Sequence, residues 1–375
     1  MLLLNIKKEI ILKLISLTIG FIDKKNVATI LSNIYIKKHN NRLTAIANDV
    51  DIQASIDLEY TYESDDFIIT VPGKKFYDIL RMMPDNADII LEQDNSRITI
   101  KSGKSKFTVQ SLPAEQYPLI KINSELKSQI VIAQNILKKA IYQTQYAMAD
   151  KDSRVFLNAM YFEIKENILF LVATDANRLT KTSIAITHNN QDLASMVDHS
   201  VIIPRKTILE LSKFLDDSDS SMTINFYNNQ VSFTTTNKQL ITKIIDAKYP
   251  NYEKVIPNDN TKLCLLNKEA LLRAVERVSV IGIDDLKTIT LDIENNLLKV
   301  SCKNKEQEES YDELEVRYTD EAIKINFNLL YIKEMLVHCQ SELVQLAFFD
   351  NRRSVLITLP NVDDFKSVIM PIRTQ

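Results

Sequence analysis

Three stretches of the chain share one pattern of apolar and polar positions. Each starts with a short β-branched run and continues into apolar residues at helical spacing, which predicts a strand that leads directly into a helix. The stretches are residues 68–81, 201–215 and 323–336, and the first two carry a proline and two cations at the junction. Their spacing of roughly 120 to 130 residues indicates three tandem copies of one supersecondary unit.

A further helical pattern opens each copy, over residues 6–22, 133–148 and 267–280. Its apolar residues recur at the spacing of a helix that faces a core. The first pattern is apolar enough to suggest a signal peptide, but Lys13 interrupts it and no small-residue cleavage site follows. It is also too short to span a bilayer. We therefore predict a core helix and no membrane segment.

Strands are predicted between the helices, with asparagine at the turns. The chain has only four glycines, and asparagine is the next residue best suited to the positive φ of a tight hairpin. Pairs that contain asparagine fall between β-like runs at 40–41, 94–95, 166–167, 228–229, 295–296 and 350–351. The run 168–172 is continuously apolar, which predicts a strand buried on both faces.

Each copy is thus predicted to be an α+β unit of two helices and roughly eight strands. The predicted order is helix, strands, the strand–helix stretch, then more strands. Prolines close each copy, because proline stops strand pairing. The predicted domains are residues 1–123, 129–257 and 263–375, with linkers at 121–128 and 258–262.

Composition narrows the possible functions. With 45% hydrophobic and 25% charged residues, the chain resembles an ordinary globular protein. Its three cysteines lack CxxC spacing and its four histidines show no ligand pattern, which predicts a reducing, cytoplasmic location and no metal site. The formal net charge of −3 means that any contact with nucleic acid needs cations concentrated on one face.

The predicted helices carry such cations. The opening helices contain Lys7, Lys8, Lys13, Lys138, Lys139, Lys268, Arg273 and Arg277, and the second helices contain Lys74, Lys75, Arg81, Arg205, Lys206 and Lys213. A run of charges is most often a solvated helix face. The other interpretation is a basic lining that contacts phosphates and not base edges, so that binding is independent of sequence and sensitive to salt.

Five segments together carry a resemblance to a known family. They are 172–179 (VATDANRL), 201–206 (VIIPRK), 249–252 (YPNY), 304–309 (NKEQEE) and 368–373 (VIMPIR). In their order along nearly the whole chain, they resemble the bacterial sliding clamp, the β subunit of DNA polymerase III. The resemblance implies a head-to-tail homodimer of six domains in a ring, with helices lining a central hole. Such a ring encircles duplex DNA and confers processivity on the replicative polymerase.

Elementary geometry agrees with a ring of two chains. A domain of about 125 residues has a radius of gyration of about 14 Å and a diameter of roughly 35 Å. Three such domains in a ring leave a hole of only about 5 Å, whereas six leave about 35 Å. A B-form duplex of roughly 20 Å fits only the larger hole. One chain therefore cannot encircle DNA, and two can.

The resemblance also implies two sets of site residues. A groove that takes a short peptide is formed by Leu157, Thr174, Arg178, Leu179, Pro250, Val255, Leu286, Tyr331, Ser354, Val368, Met370, Pro371, Ile372 and Arg373. Apolar residues around a few polar groups suit an apolar anchor. Further DNA contacts are Lys25, Lys74, Lys151, Arg154 and Phe156. The implied partners are double-stranded DNA, the DNA polymerase III alpha subunit, a clamp loader, and other clamp-binding polymerases and repair proteins.

The sequence departs from the family pattern at four places along the chain. Residues 25–29 replace Arg-x-Thr-x-Pro, Ala176-Asn177 replaces Gly-His, and of two aromatics only Phe156 remains. The segment 374–375 extends the chain past Arg373. We expect Ala176-Asn177 and the extension to affect partner preference.

Two other functions compete with this interpretation. An enzyme would have to use Thr174, Asp175 and Arg178, or the acidic residues Glu306, Glu308 and Glu309. The sequence has no P-loop, GxSxG or HExxH motif and no paired Cys/His spacing, so we predict no catalysis and no cofactor. The alternative is a tandem-repeat interaction scaffold that does not encircle DNA, and the basic helix faces argue against it.

Overall fold

The structure is a computed structural model that describes residues 2–23, 30–61, 65–186, 199–282 and 288–372. Over these ranges the chain forms three successive copies of a unit with two α-helices and eight strands. The predicted α+β architecture of three tandem repeats is therefore confirmed. Within the same ranges, every helix is too short or too polar to cross a membrane.

The helices and strands follow one order in all three copies. The first copy contains β1 Leu2–Lys7, α1 Lys8–Thr18, β2 Asn33–His39, β3 Arg42–Asn48, β4 Ile52–Glu59, β5 Phe67–Pro72, α2 Gly73–Met82, β6 Asp88–Asp94, β7 Arg97–Ser102 and β8 Ser105–Gln110. The second contains β9 Leu126–Ala133, α3 Gln134–Thr144, β10 Ala159–Lys165, β11 Ile168–Thr174, β12 Arg178–Ala185, β13 His199–Pro204, α4 Arg205–Phe214, β14 Ser221–Tyr227, β15 Gln230–Thr234 and β16 Lys238–Lys243. The third contains β17 Lys262–Asn267, α5 Lys268–Gly282, β18 Thr288–Glu294, β19 Leu297–Lys303, β20 Glu309–Glu315, β21 Ile323–Asn328, α6 Leu329–His338, β22 Leu343–Phe348, β23 Val355–Leu359 and β24 Val362–Ile369.

The chain divides into two compact units, each with its own sheets. The first unit, Met1–Asn135 with Leu209–Ile244, holds the sheets β1-β6-β7-β8 and β5-β2-β3-β4-β16-β15-β14-β9. The second unit, Ile136–Ile208 with Ile245–Gln375, holds the sheets β20-β19-β18-β21 and β13-β10-β11-β12-β24-β23-β22-β17. The strands of the middle copy are shared between the two eight-stranded sheets, because β4 pairs with β16 and β12 pairs with β24. Edge strands of successive copies thereby satisfy one another's backbone groups.

Each copy opens with a strand and not with a helix, so the predicted order of elements is wrong there. Leu4 and Ile6 are buried residues of β1, although the helical pattern included Ile6. The predicted linkers are also too long, because β9 begins at Leu126 and β17 begins at Lys262. When a short apolar strand leads directly into a helix, its alternating residues merge with the helical pattern.

The predicted strand–helix stretches are confirmed in all three copies. β5 ends at Pro72 and β13 at Pro204, where the missing N–H stops the ladder, and α2 and α4 follow at once. In the third copy Asn328 stands at this junction, and its side chain accepts a hydrogen bond from the N–H of Leu330 at 2.9 Å. An asparagine cap thus replaces the proline.

Most of the predicted asparagine turns have the expected backbone. Positive φ values occur at Asn40 (52°), Asn95 (52°), Asn167 (65°) and Asn296 (63°), each between two paired strands. The described pairs 228–229 and 350–351 also connect strands, but neither contains a residue with positive φ. Those two connections turn without left-handed backbone, so the reason given for asparagine is wrong there.

Two burial predictions are corrected by the structure. Lys7 belongs to β1, and Lys8 is only 6% exposed, with its ammonium paired with Asp85 at 2.8 Å. Lys8 is therefore part of the interior and not of a basic helix face. In β11, Ile168 and Phe170 are half-buried, so this strand is not buried on both faces along its length.

Candidate functional site

The helices carry an excess of positive charge. The six helices of the described ranges contain 14 Lys or Arg and six Asp or Glu, a net charge of +8, whereas the whole chain has a net charge of −3. The remainder of the chain is therefore strongly acidic. A protein with an acidic total can contact a polyanion only if its positive charge is gathered on one part of the surface, and the helices are such a part.

In the first unit, four of the predicted DNA contacts are exposed on helices. They are Lys74, Lys75 and Arg81 on α2 and Lys213 on α4. Lys213 also forms an ion pair with Glu210 at 2.9 Å. Lys25, a further predicted contact, lies outside the described residues.

In the second unit, four predicted contacts lie on α3 and at the start of α4. Lys139 and Lys206 are exposed, and Lys138 and Arg205 are half-buried. Arg205 donates a hydrogen bond to the carbonyl oxygen of Met148 at 3.0 Å, which fixes its guanidinium beside the end of the α3 segment.

The first turns of α2 and α4 contain cations that helix stability does not explain. Lys74 and Lys75 lie in the first turn of α2, and Arg205 and Lys206 in that of α4. The positive end of the helix dipole disfavours a cation at this position by about 0.3–1 kcal/mol. A bound anion would be attracted both by these side chains and by the free N–H groups of the helix.

Three further predicted contacts lie in the loop after α3. The guanidinium of Arg154 donates to both carboxylate oxygens of Asp152, at 3.0 and 2.9 Å, and thereby lowers the pKa of Asp152 to about 2. Phe156 is half-buried, with its ring edge-on to Tyr249 at a centroid distance of 6.3 Å. Lys151 is exposed. Because Arg154 is compensated and Phe156 packs on the protein, Lys151 is the best placed of the three to contact DNA.

The predicted groove combines buried and accessible residues of the second unit. Leu157, Thr174, Arg178, Leu179 and Val368 are buried. Tyr331, Ser354 and Pro371 are half-buried, and Pro250, Val255, Met370 and Ile372 are exposed. Leu286 and Arg373 lie outside the described residues. A buried floor with accessible apolar residues is the composition expected of a peptide groove.

Strand pairing brings the two halves of the groove together. β12 runs antiparallel to β24, with Arg178 opposite Ile369 and Leu179 opposite Val368. Just beyond this pairing, the N–H of Met370 donates to the carbonyl oxygen of Asn177 at 2.8 Å. Residues far apart in sequence are therefore held side by side by the backbone.

A tight turn shapes the start of β12. One carboxylate oxygen of Asp175 accepts hydrogen bonds from the N–H groups of Asn177 and Arg178, at 2.9 and 3.0 Å. The hydroxyl of Thr174 donates to the carbonyl oxygen of Arg178 at 2.6 Å. Ala176 has a φ of 76°, a left-handed conformation that disfavours side chains. This explains why a glycine would be suited to that position, where the family commonly has one.

Two of the predicted groove residues belong to an aromatic cluster. Leu179 and Val368 belong to one buried cluster with Tyr249 and Tyr252, and Tyr161 packs against it. The rings of Tyr161 and Tyr249 are parallel, with centroids 4.4 Å apart. Leu157 is buried but lies outside this cluster. We did not predict Tyr161, because a lone tyrosine in an alternating strand gives no signal of a site.

Arg178, a predicted groove residue, is held by two carboxylates and two aromatic rings. Its Nε donates to Asp175 at 3.0 Å, and one terminal nitrogen donates to Glu334. Its guanidinium carbon lies 5.3 Å from the ring centroid of Tyr146 and 4.5 Å from that of Tyr331. Two carboxylates compensate the buried cation, and two rings enclose it. Of these four neighbours, only Tyr331 was predicted as a groove residue.

The residues considered for catalysis are used in structural contacts. The Thr174 hydroxyl is bonded within the turn described above, and Asp175 accepts from that turn and from Arg178. In the acidic segment, Glu308 accepts a hydrogen bond from Asn304 at 2.6 Å, and Glu309 pairs with Lys303 at 2.7 Å. Throughout the described ranges, His, Cys, Asp and Glu side chains form no group of three that could hold a metal ion.

Three family models match successive parts of the chain. The N-terminal domain of the DNA polymerase III beta subunit matches residues 2–121, the central domain matches 131–251 and the C-terminal domain matches 253–373. The chain is 32% identical over 370 residues to the beta sliding clamp of Haemophilus influenzae, covering 98% of this chain and 99% of that protein. These matches agree with the resemblance seen in the sequence.

Solved structures show the same similarity in three dimensions. The sliding clamp of Pseudomonas aeruginosa bound to griselimycin has a TM-score of 0.92 and 30% identity, with 100% of both chains covered. The DNA polymerase sliding clamp of Caulobacter crescentus has a TM-score of 0.85 and 28% identity, with 99% of both chains covered. The fold described above is therefore that of these clamps over its full length.

Proposed function

Because the chain belongs to the DNA polymerase III beta subunit family, we propose that it is a DNA sliding clamp. Two copies close head to tail into a ring of six domains around duplex DNA, and the ring holds the replicative polymerase on its template. The observation that carries this proposal is the net charge of +8 on the helices of a chain whose total is −3.

Contacts with DNA are proposed to be made by the helix cations to phosphates. The exposed residues Lys74, Lys75, Lys139 and Lys206 are best placed, since three of them lie in a first helical turn that attracts anions. Phosphate contacts position a protein on DNA without reading its sequence. Binding is then weak, independent of sequence and sensitive to salt, and enclosure by the ring supplies the persistence.

Two sheet edges of opposite charge support closure of the ring. β8 is the last strand of the four-stranded sheet in the first unit, and β20 is an end strand of the four-stranded sheet in the second. Residues 103–110 contain Lys104 and Lys106 and no acidic residue, whereas four of the seven residues of β20 are acidic.

These two edges fit a contact between copies. Both strands are largely exposed, and an exposed edge presents unpaired N–H and C=O groups that pair with a strand of another chain. Opposite charge favours β8 of one copy against β20 of a second. Because the two edges differ, the contact is heterologous, and two such contacts close a dimer.

The groove is proposed as the site where other replication proteins dock. Met370, 43% exposed, and Ile372, 37% exposed, offer apolar surface beside the buried pair Leu179 and Val368. The proposed partners are the DNA polymerase III alpha subunit, a clamp loader, and other clamp-binding polymerases and repair proteins. The proposed domains are residues 1–123, 129–257 and 263–375, supported by the ranges of the three family matches.

Retention on DNA of different topology tests encirclement. The chain is loaded on nicked circular DNA by a clamp loader and passed through a sizing column, before and after the DNA is cut once. We expect co-elution with the circle and loss from the linear form, because a ring slides off a free end. Equal retention on both forms would contradict encirclement and favour the scaffold alternative.

A charge swap tests the interface between copies. Reversing Glu313 and Glu315 on β20 to lysine is expected to give a monomer by light scattering, as is reversing Lys104 and Lys106 beside β8 to glutamate. The variant with all four changes restores opposite charges and is expected to dimerise again. A dimer in either reversed variant, or a monomer in the fourfold variant, would show that these edges do not form the contact.

A further inference from the structure

Five side chains of the second unit form a continuous stack that ends in the groove. The rings of Tyr142 and His338 lie 4.6 Å apart, and those of His338 and Tyr146 lie 4.9 Å apart with planes at 27°. The guanidinium carbon of Arg178 lies 5.3 Å from the ring centroid of Tyr146 and 4.5 Å from that of Tyr331. We name this set the aromatic stack. Arg178 and Tyr331 are groove residues, and the other three stand behind them.

His338 contacts two of the groups that hold Arg178. Its ring lies against Tyr146, and its Nδ1 lies 2.8 Å from the carbonyl oxygen of Glu334, whose carboxylate binds Arg178. A carbonyl oxygen only accepts, so Nδ1 carries the proton and donates. One imidazole thus fixes both the ring beneath the guanidinium and the helical turn that supplies its carboxylate.

Hydroxyl groups anchor the two tyrosines of the stack that contact His338. Tyr146 accepts a hydrogen bond from Thr180 on β12 at 2.7 Å, and its hydroxyl lies 3.1 Å from that of Ser367 on β24. Tyr142 donates to the carbonyl oxygen of Val337 at 3.3 Å. These hydrogen bonds fix the direction of both rings, so the two rings keep their positions beside His338.

We propose that His338 is a positioning residue of the groove, and that it sets the affinity for a bound peptide by holding the Tyr146 ring against Arg178. The proposal rests on the proposed function, since it assumes that the groove binds a peptide. No sequence pattern indicates this role, because His338 shows no ligand spacing with the other histidines.

Removal of the imidazole predicts a specific loss. His338→Ala leaves a void behind Tyr146, so the ring is free to move away from Arg178 and the cation–ring contact weakens. Such contacts are strong when desolvated, and we expect peptide affinity to fall about 5-fold or more. His338→Phe keeps a ring of similar size in the stack and is expected to bind within about 2-fold of the original chain.

The test measures binding of two probes, the purified DNA polymerase III alpha subunit and griselimycin, by titration calorimetry on the full chain. Melting temperature and dimer mass are recorded for each variant. Affinity for a short duplex without a clamp loader, measured by fluorescence anisotropy, serves as a readout that the groove does not affect. If His338→Ala does not fold, Tyr142→Leu removes only the half-buried outer ring and is expected to weaken binding about 2-fold.

The outcomes separate the two proposals. Weak binding by His338→Ala, recovery in His338→Phe and unchanged affinity for the short duplex support the positioning role. Equal binding by His338→Ala and the original chain overturns the positioning role and leaves the groove in place. Equally weak binding by both His338 variants also overturns it, because a ring would then not suffice. If the original chain binds neither probe, the groove itself fails, and the positioning role with it.

Discussion

The N–H of Lys243 donates to the carbonyl oxygen of Asp51 at 2.9 Å, and the two side chains pair at 3.0 Å. This contact joins β16 to the segment before β4 in the first unit. In the second unit, the N–H of Met370 makes the same backbone contact with the carbonyl oxygen of Asn177 at 2.8 Å. The two junctions have the same backbone hydrogen bond. The first carries the ion pair of Lys243 and Asp51, and the second carries the exposed apolar side chain of Met370. Only the second suits an apolar anchor.

Met370→Ala is expected to weaken binding of the DNA polymerase III alpha subunit by about 10-fold, because truncation removes accessible apolar surface at the proposed groove. Titration of the intact dimer measures this. Lys243→Ala, at the matching position of the first unit, is the control and is expected to leave affinity unchanged. Unchanged affinity in Met370→Ala would count against the groove.

Lys243→Met is expected to change the free energy of unfolding by less than about 1 kcal/mol, since exposed ion pairs contribute little. The side chains of Lys243 and Asp51 are 47% and 72% exposed. Urea unfolding of the variant measures the difference. A loss of several kcal/mol would show that this pair, and not the strand pairing, holds the junction together.

Lys139→Ala is expected to reduce the dependence of DNA affinity on salt. Each phosphate contact that is lost lowers the slope of log affinity against log salt concentration by about 1. Fluorescence anisotropy on a short duplex at several salt concentrations measures the slope. Lys165→Ala, an exposed cation at the end of β10, is the control, and an equal effect of both changes would argue against a helix-borne DNA surface.

The three cysteines are expected to resist alkylation in the folded protein at mildly alkaline pH. All three are buried, and burial raises the pKa of the Cys264 thiol to about 12 and that of Cys339 to about 11. The reactive thiolate is then scarce. Iodoacetamide followed by mass spectrometry is expected to modify all three thiols only after unfolding in urea. Rapid modification of the folded chain would contradict their burial.

His338 is expected to make stability depend on pH in the weakly acidic range. Burial lowers its pKa below the ordinary value near 6.5, and the nearby Arg178 acts in the same direction, against the hydrogen bond to Glu334. Between the two pKa values the unfolded chain binds more protons. This contribution to stability is therefore complete above the unfolded pKa of about 6.5 and is lost as the pH falls from there through the lowered pKa of the folded state.

His338→Gln removes this titration. Unfolding in urea at several pH values from about 5 to 7 is expected to show a smaller loss of stability on acidification in the variant. The titratable groups that act on the imidazole within the described residues are Tyr142 from α3, Tyr146 after α3, Arg178 from β12 and Glu334 from α6. An identical pH dependence in both proteins would show that His338 does not titrate differently on folding.

The site was only partly predictable from the sequence. Arg178, Leu179 and Met370 were named from their motifs, and the structure places them beside one another through β12 and β24. Tyr146, which lies against Arg178, and His338, which lies against Tyr146, were missed. Tyr146 lies 221 positions from Ser367, with which it shares a hydrogen bond, and no local pattern records such a contact.

By itself, the sequence determined the three copies, their strand–helix junctions and most of their asparagine turns. Each of these features depends on residues that are close together in the sequence. Only the tertiary structure decided that Lys8 is interior, that Arg154 is compensated and that strands pair from one copy to the next. Burial, ion pairing and edge pairing depend on neighbours that the fold brings together from distant positions. The pattern along the chain therefore predicts which elements form, and the packing of those elements selects which side chains reach a partner.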